Sequence, residues 1–372
     1  MLDLGKVALL LSKKPDWPKE YILSQINGRQ KAIKKFPFLN DHPNFEFPNP
    51  TAVAQASSEI TARFKASLVN GDSIADLSGG MGIDSYFFAK KFKQLTFLEK
   101  DKNLFKISAH NLKNILGKPI DCQNITAEVW LRENAKNYDW IYLDPDRRAK
   151  KSKSFQIETS SPNLIELFPL LFEKSDQLMV KLSPLLDLKE GLRKIPFTKW
   201  VYVIAVDGEC KELLFLLKKG YAGIPKIEAV NLNAGQSSHF SFSFKEEANA
   251  SISYSEPQKY LYEPNAAMLK SGGFKSIARQ FKLNKLSENT HLYTSDDLIK
   301  SFPGRIIKVE RMGKPEKKFI LFANVVSRNF PLSAAEIRKK YQIKEGKNEF
   351  LYACTLVGKK KVFIGGERLK FD

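Results

Sequence analysis

The sequence is poor in cysteine and histidine. Its 372 residues hold 3 Cys and 4 His. Cys122, Cys210 and Cys354 lie far apart and form no CxxC pair, and His42, His110, His239 and His291 are equally scattered. A disulfide scaffold and a structural zinc site both need clustered ligands, so neither organises this chain and no metal is expected. The thiols read as buried or inert. Long apolar runs are missing too. None approaches the ~20 residues of a membrane helix. The run inside MLDLGKVALLLSKKPDW has no basic stretch before it and no small-residue cleavage site after it. It reads as a short helix of a cytoplasmic protein, with no membrane partner. Repeats and low-complexity tracts are absent.

Negative charge is the minority. Lys and Arg number 60 against 41 Asp and Glu, a net charge of +19. A chain this basic usually meets a polyanion, although a merely solvated basic surface has the same composition. The excess is uneven: residues 300–372 hold 18 Lys and Arg against 7 Asp and Glu, +11 of the total.

Residues 1–66 read as helical. LGKVALLLSKK and PKEYILSQINGRQKAIKKF are two segments, the second with Pro18 near its start, where a missing N–H costs nothing. FLNDHPNFEFPNP interrupts. TAVAQASSEITARFKASLV reads as one further helix, with Thr51 as its N-cap. From Asp72 the period changes. SIADLSGG, QLTFLEKD, YDWIYLDPD and DQLMVKLSP are β-rich runs alternating with DSYFFAKKFK, NLFKISAHNLKNILG and SPNLIELFPLLFEK, which read as helices. That alternation predicts a parallel sheet with helices on both faces over residues 67–250. KWVYVIAVDG and ECKELLFLLKK close it as strands, the second also compatible with a helix. IEAVNLNAG and HFSFSFKEE extend the β-rich end. Residues 251–372 read as a small basic α+β module. EPNAAMLKSGGFKSIARQF is helical with a Gly-Gly break, and HLYTSDDLIKSFPGRIIKVERMG reads strand, short helix, strand. KKFILFANVV, AAEIRKKYQI, NEFLYACTLV and KKVFIGGERL follow as strand, helix, strand, strand.

The segment SIADLSGGMGIDS carries the chemistry. A strand ends at Asp76, a turn of Ser78, Gly79, Gly80, Met81 and Gly82 follows, and a helix begins near Asp84. Glycines there let backbone approach a ligand at the C-terminal edge of the sheet. The dinucleotide pattern G-x-G-x-x-G is not matched, and an Asp before the loop suits the cationic S-adenosylmethionine (AdoMet) better than a pyrophosphate. The plainer reading is a tight turn. Glu99 ends the second strand, 23 residues after Asp76, where a carboxylate can take both ribose hydroxyls. Ile125 and Thr126, on the exit from the third strand, are placed to flank an adenine. The fourth strand ends in Asp144-Pro145-Asp146-Arg147-Arg148.

The order D-x-S-G-G-x-G, an acidic end to strand two and D-P-D-R-R resembles the class I AdoMet-dependent methyltransferases. More narrowly, the chain resembles bacterial proteins that join such a domain to a C-terminal ferredoxin-like and THUMP-like module. AQASSEITARFKA, DPDRR and LYEPNAAMLKSG are the matching pieces. The resemblance implies a doubly wound, mostly parallel Rossmann-like α/β sheet. An N-terminal helical segment (1–66) precedes it, and a module expected to bind RNA (251–372) follows. It implies AdoMet as cofactor, held by Asp76, Ser78, Gly79, Gly80, Gly82, Asp84, Glu99, Lys100, Ile125 and Thr126. It departs from the common pattern twice: Ser78 stands for the first glycine, and D-P-D-R-R replaces the D/N-P-P-aromatic of amino-methyltransferases.

On this reading the catalytic side is Asp144, Pro145, Arg147 and Arg148. Asp144 and the Pro145 carbonyl accept the N–H of a base nitrogen, and the arginines clamp a phosphate or stack on the base. Gln55, Ser58 and Arg63 are candidates to cover the pocket, and Glu209 and Lys211 to face it. The substrate expected is tRNA or rRNA. A protein or small-molecule acceptor, and an RNA-binding protein with a degenerate cofactor fold, are the alternatives; a dehydrogenase is disfavoured by the loop spacing.

Overall fold

The structure is a computed structural model and describes residues 3–14, 16–147, 157–233 and 235–371; the side chain of Arg147 is outside that description. The chain forms two compact units that interleave in sequence. One is Met1–Trp200 with Glu212–Gly223, the other Val201–Lys211 with Ile224–Asp372.

The first unit begins with helices α1 (Leu4–Ser12) and α2 (Lys19–Lys35). Asp3 caps α1 by accepting from the Gly5 and Lys6 amides. The single helix expected over 51–69 is two: α3 (Pro50–Gln55) and α4 (Glu59–Ser67). Ala56 and Ser58 take extended backbone, with ψ of 147° and 159°. Ser58, not Thr51, is the cap of the second piece, its hydroxyl accepting from the Thr61 amide at 3.4 Å. A serine side chain offers the backbone this alternative to an unbroken helix. The break turns Ser57 inward.

Strand and helix then alternate: β1 (Ser73–Asp76), α5 (Ile83–Ala89), β2 (Gln94–Leu98), α6 (Lys102–Leu116), β3 (Asp121–Gln123), α7 (Ala127–Glu133) and β4 (Trp140–Leu143). A two-stranded ribbon follows, β5 (Asp146–Arg147) with β6 (Ser160–Ser161), then α8 (Leu164–Lys174), β7 (Gln177–Leu182) and α9 (Leu188–Lys194). β8 (Thr198–Val206) and β9 (Glu209–Lys218) lie where the units interleave, and both are strands. β9, β7, β4, β1, β2 and β3 lie side by side in that order. The pairs from β7 to β3 are parallel, and β9 runs antiparallel to β7. This is the mostly parallel α/β sheet expected. β4 is buried along its whole length, which is why its sequence is a continuous apolar run rather than an alternation. The chain leaves β1 toward β2 and β3 and returns on its other side as β4. The carboxyl ends of β1 and β4 therefore flank a switch point, where such sheets open a crevice.

The second unit holds the antiparallel pair β10 (Lys226–Asn233) and β11 (Gln236–Phe242), then α10 (Phe244–Asn249), β12 (Tyr260–Pro264), α11 (Ala266–Ser271) and α12 (Phe274–Gln280). It continues with β13 (Asn284–Lys285), β14 (Tyr293–Ser295), β15 (Gly304–Gly313), β16 (Asn324–Arg328), α13 (Ala334–Tyr341), β17 (Glu349–Thr355) and β18 (Lys361–Leu369). Seven strands form one sheet in the order β13-β14-β12-β15-β18-β17-β16. The Gly-Gly break falls between α11 and α12. Two expectations fail here. Residues 296–301 form bends, irregular backbone and one turn, not a helix, because Tyr262 takes their backbone: the hydroxyl donates to the Asp297 carbonyl (2.7 Å) and accepts from the Ile299 amide (2.9 Å). The strand expected from Lys317 starts only at Asn324; Phe319 and Ile320 pack irregularly against the core around Phe363 and Leu351. Glu263, buried on β12, is held by Arg305 (2.8 Å), Arg328 (2.7 Å) and the Tyr352 hydroxyl (2.8 Å).

All three cysteines are free. Burial pushes the Cys354 thiol up to about 12 and that of Cys122 to about 11. No helix among the described residues is long and apolar enough to cross a membrane.

Candidate active site

A cavity of about 630 Å³ opens at the carboxyl ends of β1, β2 and β4. Its floor is the Gly-rich loop. A Cβ on Gly79 would sit 2.0 Å from the Phe97 ring, and Gly80 and Gly82 have φ of +55° and +83°. The loop is therefore pressed onto β2 and turned in a way that few other residues allow. Ser78, in place of the usual glycine, has a task of its own: its hydroxyl accepts the Asp144 amide at 2.6 Å and so ties the loop to the end of β4.

Ser78, Gly79, Gly80, Gly82, Asp84, Glu99, Lys100, Ile125, Thr126 and Asp144 all line this cavity. Glu99 accepts the Gly80 amide (2.9 Å) on one oxygen and the Asp101 amide (2.8 Å) on the other. A carboxylate has about four acceptor sites, so capacity remains toward the cavity. Burial raises its pKa, and the two amides offset part of that. Thr126 also caps α7, and Lys100 reaches Ser161 (3.3 Å) and Asp146 (3.6 Å).

Four expectations are corrected or bounded. Asp76 is 1% exposed and lies beneath the loop rather than in the cavity wall. It accepts from the Ser78 amide at 3.0 Å and the Ser85 hydroxyl at 2.5 Å, so it holds the loop. Pro145 is buried and does not line the cavity. Arg148 lies outside the described residues, and of Arg147 only the backbone, in β5, is described. Of the covering candidates, Gln55 lines the cavity, whereas Ser58 caps α4 and Arg63 pairs with Glu59. Glu209 and Lys211 are exposed and bridge each other at 2.5 Å.

Beneath the wall lies a charge network that sequence reasoning missed. Lys65, on α4, is 0% exposed. Its Nζ lies 2.7 Å from Ser57 Oγ, 3.0 Å from Asp84 Oδ1 and 3.2 Å from Glu212 Oε2. Asp84 also accepts from Ser57 (2.7 Å) and from the Tyr142 hydroxyl (2.9 Å). Burial alone would raise the Asp84 pKa, but the charges of Lys65 and Lys181 and the Ser57 hydrogen bond more than offset this and lower it. Lys181, on β7, donates to Asp144 Oδ2. Burial opposes its charge, yet Asp144, Glu212 and Asp84 raise its pKa, so it stays an ammonium. For Glu212, burial outweighs the two lysines and the pKa is raised. The legible signal was a lone charge inside an apolar strand, Lys181 in QLMVKL; Glu212, beside Lys211 and Glu209 at the start of β9, carried none. Buried charges are kept only when paired.

A mostly parallel α/β sheet with a Gly-lined crevice at its switch point defines the class: a doubly wound α/β fold that binds its ligand at the carboxyl edge of the sheet. Two family models match the C-terminal part, a ferredoxin-like domain at residues 260–303 and a THUMP domain-like region at residues 317–368. A protein from Porphyromonas gingivalis W83, described as a "putative methyltransferase", is 31% identical. The match covers 95% of this chain and 92% of that one, with a TM-score of 0.87. The chain belongs to this bacterial methyltransferase family with ferredoxin-like and THUMP-like C-terminal modules. More distant likenesses cover 43% of the chain. One is to an rRNA methylase from Streptococcus thermophilus (11% identity, 93% of that chain, TM-score 0.31). Another is to a "putative methyltransferase" from Streptococcus mutans in complex with SAH (11%, 96%, 0.33). No curated protein matches the chain by sequence.

Proposed function

We propose that this chain is an AdoMet-dependent methyltransferase that modifies RNA. The observation that carries the reading is the single cavity wall joining the Gly79–Gly82 loop, Glu99, Ile125 with Thr126, and Asp144. The donor set fits AdoMet: a carboxylate with spare acceptor sites for two ribose hydroxyls, an apolar and hydroxyl-bearing wall for the adenine, and a glycine floor for the rest. When bound, AdoMet supplies an activated methyl group. The residues then mainly bind and orient donor and acceptor, since placing the reacting atoms in line removes much of the barrier. Asp144 is 33% exposed on its side chain, next to where the acceptor enters. Arg147 and Arg148 follow it and are assigned to an RNA phosphate. RNA is supported by the THUMP domain-like match and by the basic excess over residues 300–372. We assign residues 1–66 to a helical lead-in, 67–250 to catalysis and 251–372 to RNA delivery.

Calorimetry with S-adenosylhomocysteine (SAH) tests the reading. The wild-type chain is expected to bind SAH and to ignore NAD. Glu99→Ala should weaken SAH binding at least ~10-fold, the loss expected of one charge-assisted hydrogen-bond pair. Asp144→Ala should leave SAH affinity in place and cut methyl transfer to RNA by at least ~100-fold, the low end for a catalytic polar group. Unchanged affinity in Glu99→Ala would move the cofactor elsewhere. Transfer to protein or small molecules, with none to RNA, would replace the RNA acceptor.

A further inference from the structure

Resting on the reading above, we propose that the methyl acceptor is a hydroxyl oxygen, the 2′-hydroxyl of an RNA ribose, rather than a base nitrogen. It is received by Asp144, with Lys181, Lys65 and Glu212 as positioning residues behind it. Asp144 follows β4 and Lys181 lies on β7, parallel neighbours in which Leu143 pairs with Val180. One strand step further, Lys181 donates from behind to Asp144, which lines the cavity. Lys181 is 15% exposed on its side chain and Lys65 not at all. From the cavity inward the charges alternate: Asp144, Lys181, Glu212, Lys65, and back to Asp84 in the wall.

A base amine fits this arrangement poorly. It would bring two N–H groups to a carboxylate with one oxygen already taken by Lys181. Its nitrogen would also gain positive charge, on forming a fourth bond, beside a fixed ammonium. The position of the base-stacking aromatic in the amino-methyltransferase pattern is Arg147. A hydroxyl fits on each count. It has one proton to give, and Asp144 Oδ1 is one acceptor. It becomes a better nucleophile as that proton leaves, and the developing negative charge on oxygen is stabilised by an ammonium already in place. In the step, the hydroxyl oxygen forms a bond to the methyl carbon and the carbon–sulfur bond breaks. The bonding pair stays on sulfur, which passes from sulfonium to neutral thioether. The hydroxyl proton goes to Asp144 and from there to water. The 2′-hydroxyl is also the group by which a protein tells RNA from DNA.

The experiment uses the full chain, AdoMet labelled in the methyl group, and total RNA from cells lacking the gene. A 2′-O-methyl group blocks alkaline cleavage of the following phosphodiester, so the label should remain in alkali-resistant dinucleotides. Label in single base-methylated nucleotides would overturn the hydroxyl acceptor and leave the RNA reading standing; label in no RNA would overturn both. Lys181→Met should cut transfer at least ~100-fold with SAH affinity by calorimetry unchanged, and Lys181→Arg should recover part of the transfer. Should Lys181→Met not fold, Asp144→Asn keeps a partner for Lys181 and should lose transfer to the same extent. Transfer near the wild-type rate in Lys181→Met or in Asp144→Asn, or SAH affinity falling in step with transfer, would overturn the role given to the pair.

Discussion

Asp76 shows how one buried carboxyl can serve the site without facing it. Burial pushes its pKa up to about 7; hydrogen bonds from Ser85 and Ser78 offset part of the rise, and the charges of Asp84 and Asp144 add to it. The folded-state value lies above the ordinary 3.8, so between these limits the folded chain binds more protons than the unfolded one. The stability this confers is complete below the unfolded value and is lost as pH rises toward about 7. A tenfold difference in proton affinity corresponds to ~1.4 kcal/mol, so the full effect is a few kcal/mol at most. Urea unfolding at several pH values from 4 to 8 should therefore show a declining limb that Asp76→Asn flattens. Parallel curves for the two proteins would mean that the carboxyl is not the titrating group. The same substitution should leave SAH binding largely intact, because Asp76 holds the loop and does not touch the cavity.

The loop after β1 works as an element because its glycines are not equivalent. Gly79 is fixed by space, with Phe97 ring atoms 2.0 Å from any added Cβ, whereas at Gly80 the nearest atom is 3.8 Å away and only the backbone angle matters. Gly80→Ala should cost ~1–2 kcal/mol for left-handed backbone. Gly79→Ala should cost as much or more, ~1–3 kcal/mol for overpacking against a ring that is itself 0% exposed. It should also weaken SAH binding, since relief of the clash lifts the loop off β2. Thermal unfolding alongside calorimetry separates the two effects. Equal behaviour of the two variants would show that Phe97 moves aside. The break between α3 and α4 is an element-scale device of a similar kind: it frees Ser57 to bond both Lys65 and Asp84.

At the scale of the molecule, charge is the dominant fact. Arg338, Lys339 and Lys340 sit in the last turns of α13; Lys359 and Lys360 lie in the exposed turn between β17 and β18, and Lys361 opens β18. Phosphate contacts release counterions, so RNA affinity should fall with salt at a log–log slope of about −0.7 to −0.9 per phosphate contacted. Changing both groups to Ala should lower RNA affinity and flatten that slope while SAH binding stays as it was. An unchanged slope, measured by filter binding over a salt series, would make these lysines and arginines a solvated face.

The residues alone determined the alternation of strand and helix, the Gly-rich loop, the acid at the end of β2 and the polar end of β4. Each is written in consecutive residues, and hydrophobic period and turn chemistry are local. The glycine loop, Glu99, Ile125 with Thr126, and Asp144 in the cavity wall were legible for that reason, whereas Asn49, Ala52, Ala56 and Ser57 in the same wall were not. The ferredoxin-like and THUMP-like modules were legible as a resemblance. Tertiary structure alone decided what no local pattern encodes. Lys65 and Glu212 meet across 147 positions, and Lys181 reaches Asp144 only because β7 pairs with β4. The bends and turn at residues 296–301 replace a helix because Tyr262 arrives from another strand to take their backbone groups. Whether Asp76 faced the cavity or the underside of the loop depended on the path of that loop over Phe97. A buried charge must find its partner wherever the fold brings one, and the distance between partners along the chain carries no trace of that encounter.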